Sequence, residues 1–182
     1  MNSVEDKETR FEMVDMHQFF IDKIEVAICE KRYIEASWLI YSCMENRFFR
    51  VLCKYKNQCD YCKGKCKKDN NELSIRTKIA CVKRLCESGV SCISESFSIG
   101  QLDEISNWIN QRNKMMHDLL CLDTYKKTDE KFKSSALEGK ALLDGLYKSC
   151  TEFRKLYFDS EYIFEFPKEV MCKCACAKIR NK

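Results

Sequence analysis

Glycine and proline are scarce in this chain of 182 residues, which contains five glycines and one proline, Pro167. Folds built from many short strands need many tight turns, and tight turns use these two residue types. A β-sandwich, a barrel or a doubly wound α/β domain is therefore disfavoured. Because 45% of the residues are hydrophobic, the chain can bury one sizeable core. We predict an all-α protein with long helices and few turns.

Apolar residues recur every three or four positions in five segments, which is the spacing of one face of an α-helix. A polar link of two residues separates the first two segments and predicts that they pack antiparallel. The pattern predicts an up-and-down bundle of about five helices in a domain over residues 1–158, followed by an irregular Cys-rich tail over 159–182. The predicted helices are 11–30, 33–54, 74–87, 101–122 and 129–158, with a Cys/Lys-rich loop over 53–72.

Fourteen cysteines are the unusual part of the composition. The first residues are acidic and polar, with no signal-peptide pattern, and no run reaches the roughly 18 apolar residues of a membrane span. We therefore expect a cytoplasmic protein with reduced thiols and no membrane partner. Six cysteines fall at core spacing and are expected to pack as small hydrophobic groups, namely Cys29, Cys43, Cys81, Cys86, Cys121 and Cys150.

The loop over 53–72 carries a second cysteine pattern, Cys59-x2-Cys62-x3-Cys66. Three thiolates at this spacing are candidate ligands of a structural zinc ion, with a fourth from Cys53 or the tail. An iron–sulfur cluster and unliganded thiols remain alternatives. Lysines surround these cysteines and form a candidate RNA-binding patch, although a solvated loop explains them equally well; they are Lys63, Lys65, Lys67 and Lys68. The net charge of +4 is compatible with a nucleic-acid partner and does not require one.

One of the two histidines, His117, follows Arg112 by five positions on the fourth predicted helix. This spacing places them about 140° apart around the helix and about 7.5 Å apart along it, so both can border one groove. Histidine transfers protons near neutral pH, and arginine binds phosphate through two hydrogen bonds. The same spacing is also common on solvated helix edges, so the pair alone does not establish a site.

The wider context resembles the HEPN superfamily, many members of which are metal-independent ribonucleases. Arg112, Asn113 and His117 match the family's motif of Arg, a polar residue, a short spacer and His, and the following 118–120 is similar to the family's sequence after the histidine. The segment 33–47 is similar to the family's second helix, with Glu45 as its acidic residue. The resemblance covers about residues 11–157.

The resemblance implies an endoribonuclease in which His117 acts as general acid or base and Arg112 stabilises charge on the phosphate. Asn113 would orient the histidine or bind a phosphate oxygen, and Glu45 would hold either Arg112 or the histidine ring in place. Lys114 joins the candidate RNA-binding lysines. The family usually works as a homodimer, needs no cofactor and occurs in toxin–antitoxin and abortive-infection phage defence. Two alternatives remain, a non-catalytic helical module that binds nucleic acid or protein, and a metal-responsive regulator.

Overall fold

A computed structural model of the chain describes residues 18–58, 73–119 and 125–159, and within these ranges the protein is all-α and contains no strand. Residues 18–29 form helix α1. The helices that follow are α2 (Tyr33–Gln58), α3 (Ile75–Glu87), α4 (Ser91–Ser94), α5 (Ile99–His117) and α6 (Tyr125–Asp159). None of the described helices is both long enough and apolar enough to cross a membrane.

The all-α prediction is confirmed, and the boundaries differ from the predicted ones in four places. Helix α6 begins at Tyr125 rather than near 129. Helix α2 continues to Gln58, so residues 53–58 are helical rather than loop, because no glycine or proline interrupts the chain there. Helix α5 ends at His117 instead of near 122. The four-residue helix α4 lies in the predicted loop 89–100 and is too short to show a period. The rest of the predicted loop, from 59 to 72, and the tail from 160 onward lie outside the described residues.

Two helix ends turn the chain with the same hydrogen-bond pattern. At the end of α3, Gly89 adopts a φ of 70°, and the next amide reaches back to the Leu85 carbonyl. At the end of α1, Lys31 adopts a φ of 60°, and the Arg32 amide donates to the Ala27 carbonyl at 2.7 Å. Glycine is the favoured residue in this left-handed position because it has no Cβ. A lysine there is conformationally unfavourable.

The core is formed by the apolar faces that the periodicity predicted. Helix α2 packs against α6 and α3, while α5 packs against α6 and α3. The predicted α2 residues Ile40, Met44 and Phe48 are fully buried. Cys43 and Cys81 are buried as predicted, whereas Cys29 is exposed, because it lies one residue past the inward-facing Ile28 at the end of α1. Cys92, on the unpredicted α4, is also buried.

Trp108 joins α5 to α6 through a contact that only glycine permits. Its indole Nε1 donates to the Ser135 carbonyl at 2.8 Å, and the ring covers Gly139. A Cβ at position 139 would lie 2.4 Å from Trp108 Cζ2, well inside van der Waals contact. The glycine that weakens α6 as an isolated helix is therefore what allows α5 to pack closely against it.

We predict opposite effects for two Gly→Ala substitutions in α6. Gly139→Ala should lower the free energy of unfolding by about 1–3 kcal/mol, because the new methyl group meets the rigid indole. Gly145→Ala should raise it by about 0.5–1 kcal/mol through helix propensity, because its nearest neighbour is the adaptable Gln101 side chain at 3.3 Å. Urea unfolding of both variants measures the difference. Equal stabilisation by both would show that Trp108 does not pack against Gly139.

Candidate functional site

The predicted motif residues lie at the C-terminal half of α5, a helix whose first turn is capped by Ser98, which accepts a hydrogen bond from the Gln101 amide. Arg112 is buried, with 7% of its surface exposed. Asn113 is half-buried and His117 is exposed in the last turn. The C-terminal half of α5 therefore carries a buried cation and, five residues later, an accessible histidine.

The guanidinium of Arg112 lies over the ring of Tyr41 on α2, with Cζ 4.8 Å from the ring centroid. Its Nη1 donates to Asn113 Oδ1 at 3.1 Å. Its Nε and Nη2 are buried and have no hydrogen-bond partner. Burial lowers the pKa of Arg112 from its ordinary value. A stacked cation of this kind gains about 1–2 kcal/mol from the ring, while each unpaired buried N–H group costs about 1–3 kcal/mol.

Asn113 lies between the arginine and the histidine along α5. Residues four apart on an α-helix share a face, so Asn113 and His117 are neighbours on the outer side of α5. The same amide accepts the Arg112 hydrogen bond through its oxygen. Its NH2 group remains available to a phosphate oxygen or to the imidazole. This arrangement is compatible with the role that the resemblance implies for Asn113.

Glu45 does not make the predicted contact with Arg112 or His117. Its Oε1 lies 2.9 Å from Nζ of Lys78, a lysine of α3 that is only 2% exposed. The Lys78 ammonium also lies 5.8 Å from the centroid of the Phe49 ring. The physical reason is that a buried ammonium such as that of Lys78 requires a carboxylate to neutralise it. The guanidinium of Arg112 requires one less, because it already lies over an aromatic ring. Glu45 therefore neutralises the charge of Lys78 on α3 and does not orient the Arg112 or His117 side chain of α5.

Several charged side chains of the site lie near Tyr41 and affect its pKa. Burial raises the pKa of Tyr41, and the nearby Glu45 carboxylate raises it further, while Arg112 and Arg76 act in the opposite direction. Two cations, Arg76 and Arg112, thus lie near one tyrosine, and the nearby Glu45 carboxylate pairs with Lys78. An anion that approached this end of α5 would meet an excess of positive charge.

The remaining predicted site residues fall mostly outside the described ranges. This holds for the zinc-ligand candidates Cys59, Cys62 and Cys66 and for the lysines Lys63, Lys65, Lys67 and Lys68. Lys114 is described, and it is exposed on α5 beside Asn113. Within the ranges that the structure describes, no group of three Cys, His, Asp or Glu side chains is placed to hold a metal ion.

A groove of about 670 Å³, which the sequence did not reveal, adjoins this end of α5. Its walls come from the turn before α2, the first turns of α2, Met116 of α5 and the start of α6. Trp38 lines it and is 60% exposed, and Ile34 beside it is 40% exposed. The only sequence signal was a tryptophan outside the apolar stripe of α2. The lining also carries two basic and two acidic side chains, namely Lys31, Arg32, Glu35 and Asp129. The exposed indole makes the groove a candidate binding surface.

Comparisons of the chain with protein-family models, with curated proteins and with solved structures found no significant match. The chemistry of the site is therefore inferred from its own residues. Those residues form a three-part arrangement of a buried cation with unpaired donors, an amide that touches it and an exposed imidazole one turn away.

We predict that folding does not need the charge of Arg112. Arg112→Met should leave the free energy of unfolding within about 1 kcal/mol of the original value or raise it, because methionine fills the space and removes the unpaired buried donors. Ile109→Ala, at a fully buried position one turn earlier, should cost about 2–5 kcal/mol and serves as the control. A loss above about 2 kcal/mol in Arg112→Met would mean that the cation is structural.

The Glu45–Lys78 pair should behave as a structural unit in a double-mutant cycle. Glu45→Gln should lower the free energy of unfolding by about 1–3 kcal/mol, because it leaves the ammonium of Lys78 buried without a carboxylate. Adding Lys78→Met should recover most of that loss, since both charges are then absent. Denaturant unfolding of the two single variants and the double variant gives the coupling energy. Simple additivity would show that the pair contributes nothing.

Proposed function

We propose that this chain is a HEPN-type endoribonuclease that cleaves RNA with Arg112 and His117 and requires no metal ion for the chemistry. The observation that carries the proposal is Arg112. A buried guanidinium with two unpartnered nitrogens is unfavourable for folding, and it lies five residues before an exposed histidine on the same helix. Energetically unfavourable groups of this kind persist at sites that bind a charged substrate.

The reaction that these groups fit is transesterification of the RNA backbone. The ribose 2′-oxygen forms a bond to the adjacent phosphorus, and the bond from phosphorus to the 5′-oxygen breaks. A base takes the 2′-hydroxyl proton, and an acid delivers a proton to the leaving 5′-oxygen. The products are a 2′,3′-cyclic phosphate and a 5′-hydroxyl. His117 supplies one proton transfer, and Arg112 neutralises the charge that develops on the phosphate oxygens.

A single His117 serves as base or as acid in one turnover, so two proton transfers call for two such groups. A homodimer provides them when two copies of the α5 end face each other across a two-fold axis. The exposure of His117 leaves it available for such an arrangement. We therefore propose a dimer with a shared cleft. A nuclease of this type harms its own cell unless controlled, which fits a toxin–antitoxin or phage-defence role with an antitoxin or defence partner.

The second candidate is a non-catalytic helical module that binds nucleic acid or protein. One observation favours it, because the stack of Arg112 on Tyr41 covers most of the guanidinium. In that case Arg112 would be a packing residue and His117 an ordinary surface residue. The two candidates differ in whether RNA is cut and in whether His117 is needed.

The nuclease proposal predicts that purified protein cleaves RNA in EDTA and leaves cyclic phosphate ends. His117→Ala should lower the rate about 100- to 10,000-fold, because it removes a proton-transfer group. Arg112→Met should lower it about 100- to 1,000-fold at unchanged stability. His17→Ala, which removes the only other histidine, is the matched control. Gel analysis of end-labelled RNA measures all four proteins. Equal cleavage by His117→Ala and the original protein would rule out this active site.

Metal removal gives an independent prediction. Any zinc held by Cys59, Cys62 and Cys66 would be structural, because a shell filled by thiolates leaves no open position for water. Stripped protein should therefore keep its cleavage activity. Elemental analysis before stripping and RNA cleavage after it provide the measurement, with circular dichroism as the folding control. Complete loss of cleavage in stripped protein that remains helical would mean that the metal is catalytic.

A further inference from the structure

The guanidinium of Arg112 is closed off from solvent in this structure. Only 7% of the residue is exposed, and its Nε and Nη2 atoms are buried without a hydrogen-bond partner. A phosphate oxygen has to come within about 3 Å of a nitrogen to accept a hydrogen bond from it. Neither of these two nitrogens can be reached from solvent in the observed conformation. Arg112 therefore has to move before it can bind the phosphate of a substrate.

One face of the Arg112 guanidinium is covered by Tyr41, whose ring centroid lies 4.8 Å from Cζ. Tyr41 is half-buried and packs against the hydrophobic core, so its ring is held in place on α2. The arginine comes from α5, and the main helix contacts of both α2 and α5 are with α3 and α6. The stack is therefore a contact between two side chains, and rotation of Arg112 can open it without separating these helix pairs.

The two unpartnered nitrogens of Arg112 are the pair suited to an oxyanion. Nε and Nη2 lie on the same edge of the planar guanidinium, so together they can donate to two oxygens of a single phosphate. The third nitrogen, Nη1, already donates to Asn113 Oδ1 at 3.1 Å. The buried position thus hides the edge that a phosphate needs and leaves the hydrogen-bonding capacity of that edge unused.

The stacked position of Arg112 is only weakly favoured. The aromatic face of Tyr41 attracts the cation, but the two buried N–H groups without acceptors oppose this position. The Glu45 carboxylate, which lies near Tyr41, is bound to Lys78 and does not hold the guanidinium. A phosphate offers a negative charge and two acceptor oxygens, whereas the ring offers neither, so a phosphate competes successfully for Arg112.

We propose that the Arg112–Tyr41 stack is an autoinhibitory contact, which keeps the guanidinium away from solvent until the phosphate of a bound RNA strand draws it off the ring. The proposal rests on the proposed function, because it concerns the access of the RNA phosphate to the arginine of that active site. Tyr41 takes no part in the chemistry of cleavage. Its ring competes with the substrate for one cation, so opening the stack reduces the apparent affinity for the strand.

Removal of the ring should therefore tighten the binding of a strand. The probe is a 2′-deoxy octanucleotide, which lacks the attacking hydroxyl and is not cleaved. Tyr41→Leu keeps an apolar side chain against the core but removes the aromatic face, and it should lower the Kd about 5- to 30-fold, the range for one cation–π contact. Tyr41→Phe keeps the ring and should bind within about twofold of the original protein. An unchanged or weaker Kd in Tyr41→Leu, or equal tightening in Tyr41→Phe, would overturn the proposal.

A second arginine–tyrosine stack supplies the matched control. Cζ of Arg47 on α2 lies 4.8 Å from the ring centroid of Tyr147 on α6, the same distance as in the Arg112–Tyr41 stack. Tyr147→Leu removes the ring from a stack that does not include α5, and it should leave the Kd unchanged. Tightening equal to that of Tyr41→Leu would mean that the effect comes from a general loosening of the helices, which would contradict the assignment to Arg112.

The gain in affinity should also depend on Arg112. Arg112→Met should weaken the binding of the octanucleotide, because it removes the cation that the phosphate contacts. Adding Tyr41→Leu to Arg112→Met should then change the Kd by less than about twofold, because the ring no longer has a cation to hold. Tightening that persists in the double variant would show that Tyr41 does not act through Arg112.

Proton chemical shifts test the release of Arg112 in the unaltered chain, whether or not a Tyr41 variant folds. Protons above the face of an aromatic ring resonate upfield of their ordinary position. The Arg112 guanidinium lies over Tyr41, so we expect its adjoining Hδ protons upfield in the free protein. Saturation with the octanucleotide should return them to the ordinary range, while those of Arg47 stay unchanged. Arg112 Hδ resonances that remain upfield in saturated protein would contradict the release.

Failure of this proposal is distinguishable from failure of the nuclease proposal. If the original protein does not cut RNA but Tyr41→Leu tightens binding through Arg112, the inhibitory contact stands and the cleavage chemistry is wrong. If the protein cuts RNA and Tyr41→Leu changes neither KM nor kcat, the active site stands and the inhibitory contact is wrong. If both are correct, Tyr41→Leu should lower KM by the same factor as the Kd and leave kcat within about twofold, because the stack is already open in the bound state.

Discussion

The packing of Trp108 on Gly139 sets the rotation of α5, and the arrangement of the site depends on it. Because residues four apart share a helix face, burying Trp108 against α6 carries Arg112 and Met116 inward along the same side. His117 follows Trp108 by nine positions, which places it about 180° away around the helix. One close helix contact therefore buries the cation and exposes the imidazole.

The two buried cations among the described residues, Lys78 and Arg112, differ in how fully their hydrogen-bonding groups are satisfied. Lys78 is matched by the Glu45 carboxylate at 2.9 Å, so its charge is neutralised within the protein. Arg112 has a tyrosine ring and one amide oxygen, which satisfy only part of its hydrogen-bonding capacity. A cation that the fold leaves incompletely satisfied is the one that a substrate phosphate can stabilise. The excess positive charge around Tyr41 acts in the same direction.

Much of the fold could be predicted because it depends on local periodicity. The stripe of Ile40, Met44 and Phe48 is buried as the helical spacing requires, and the scarcity of turn residues correctly favoured long helices. The partner of Glu45 could not be predicted, because Lys78 is 33 residues away and meets it only once α2 and α3 have packed. No local sequence pattern predicts that Trp38 lines a groove or that Lys31 adopts a positive φ, because both properties depend on how the helix ends pack together. That Arg112, Asn113 and His117 lie on one helix could be predicted from local periodicity, whereas their role stays a prediction.

The most direct test of the account is the response of the Arg112 side chain to a bound strand. A 2′-deoxy oligonucleotide lacks the attacking hydroxyl and can be added to protein labelled with 15N, with Arg112→Met used to assign the Nε signal. The account predicts that the Arg112 Nε–H resonance shifts as the strand saturates the protein, because a phosphate oxygen accepts a hydrogen bond from the Nε–H group, which has no partner in the free protein. An unchanged Arg112 signal in protein that has bound the strand would contradict it.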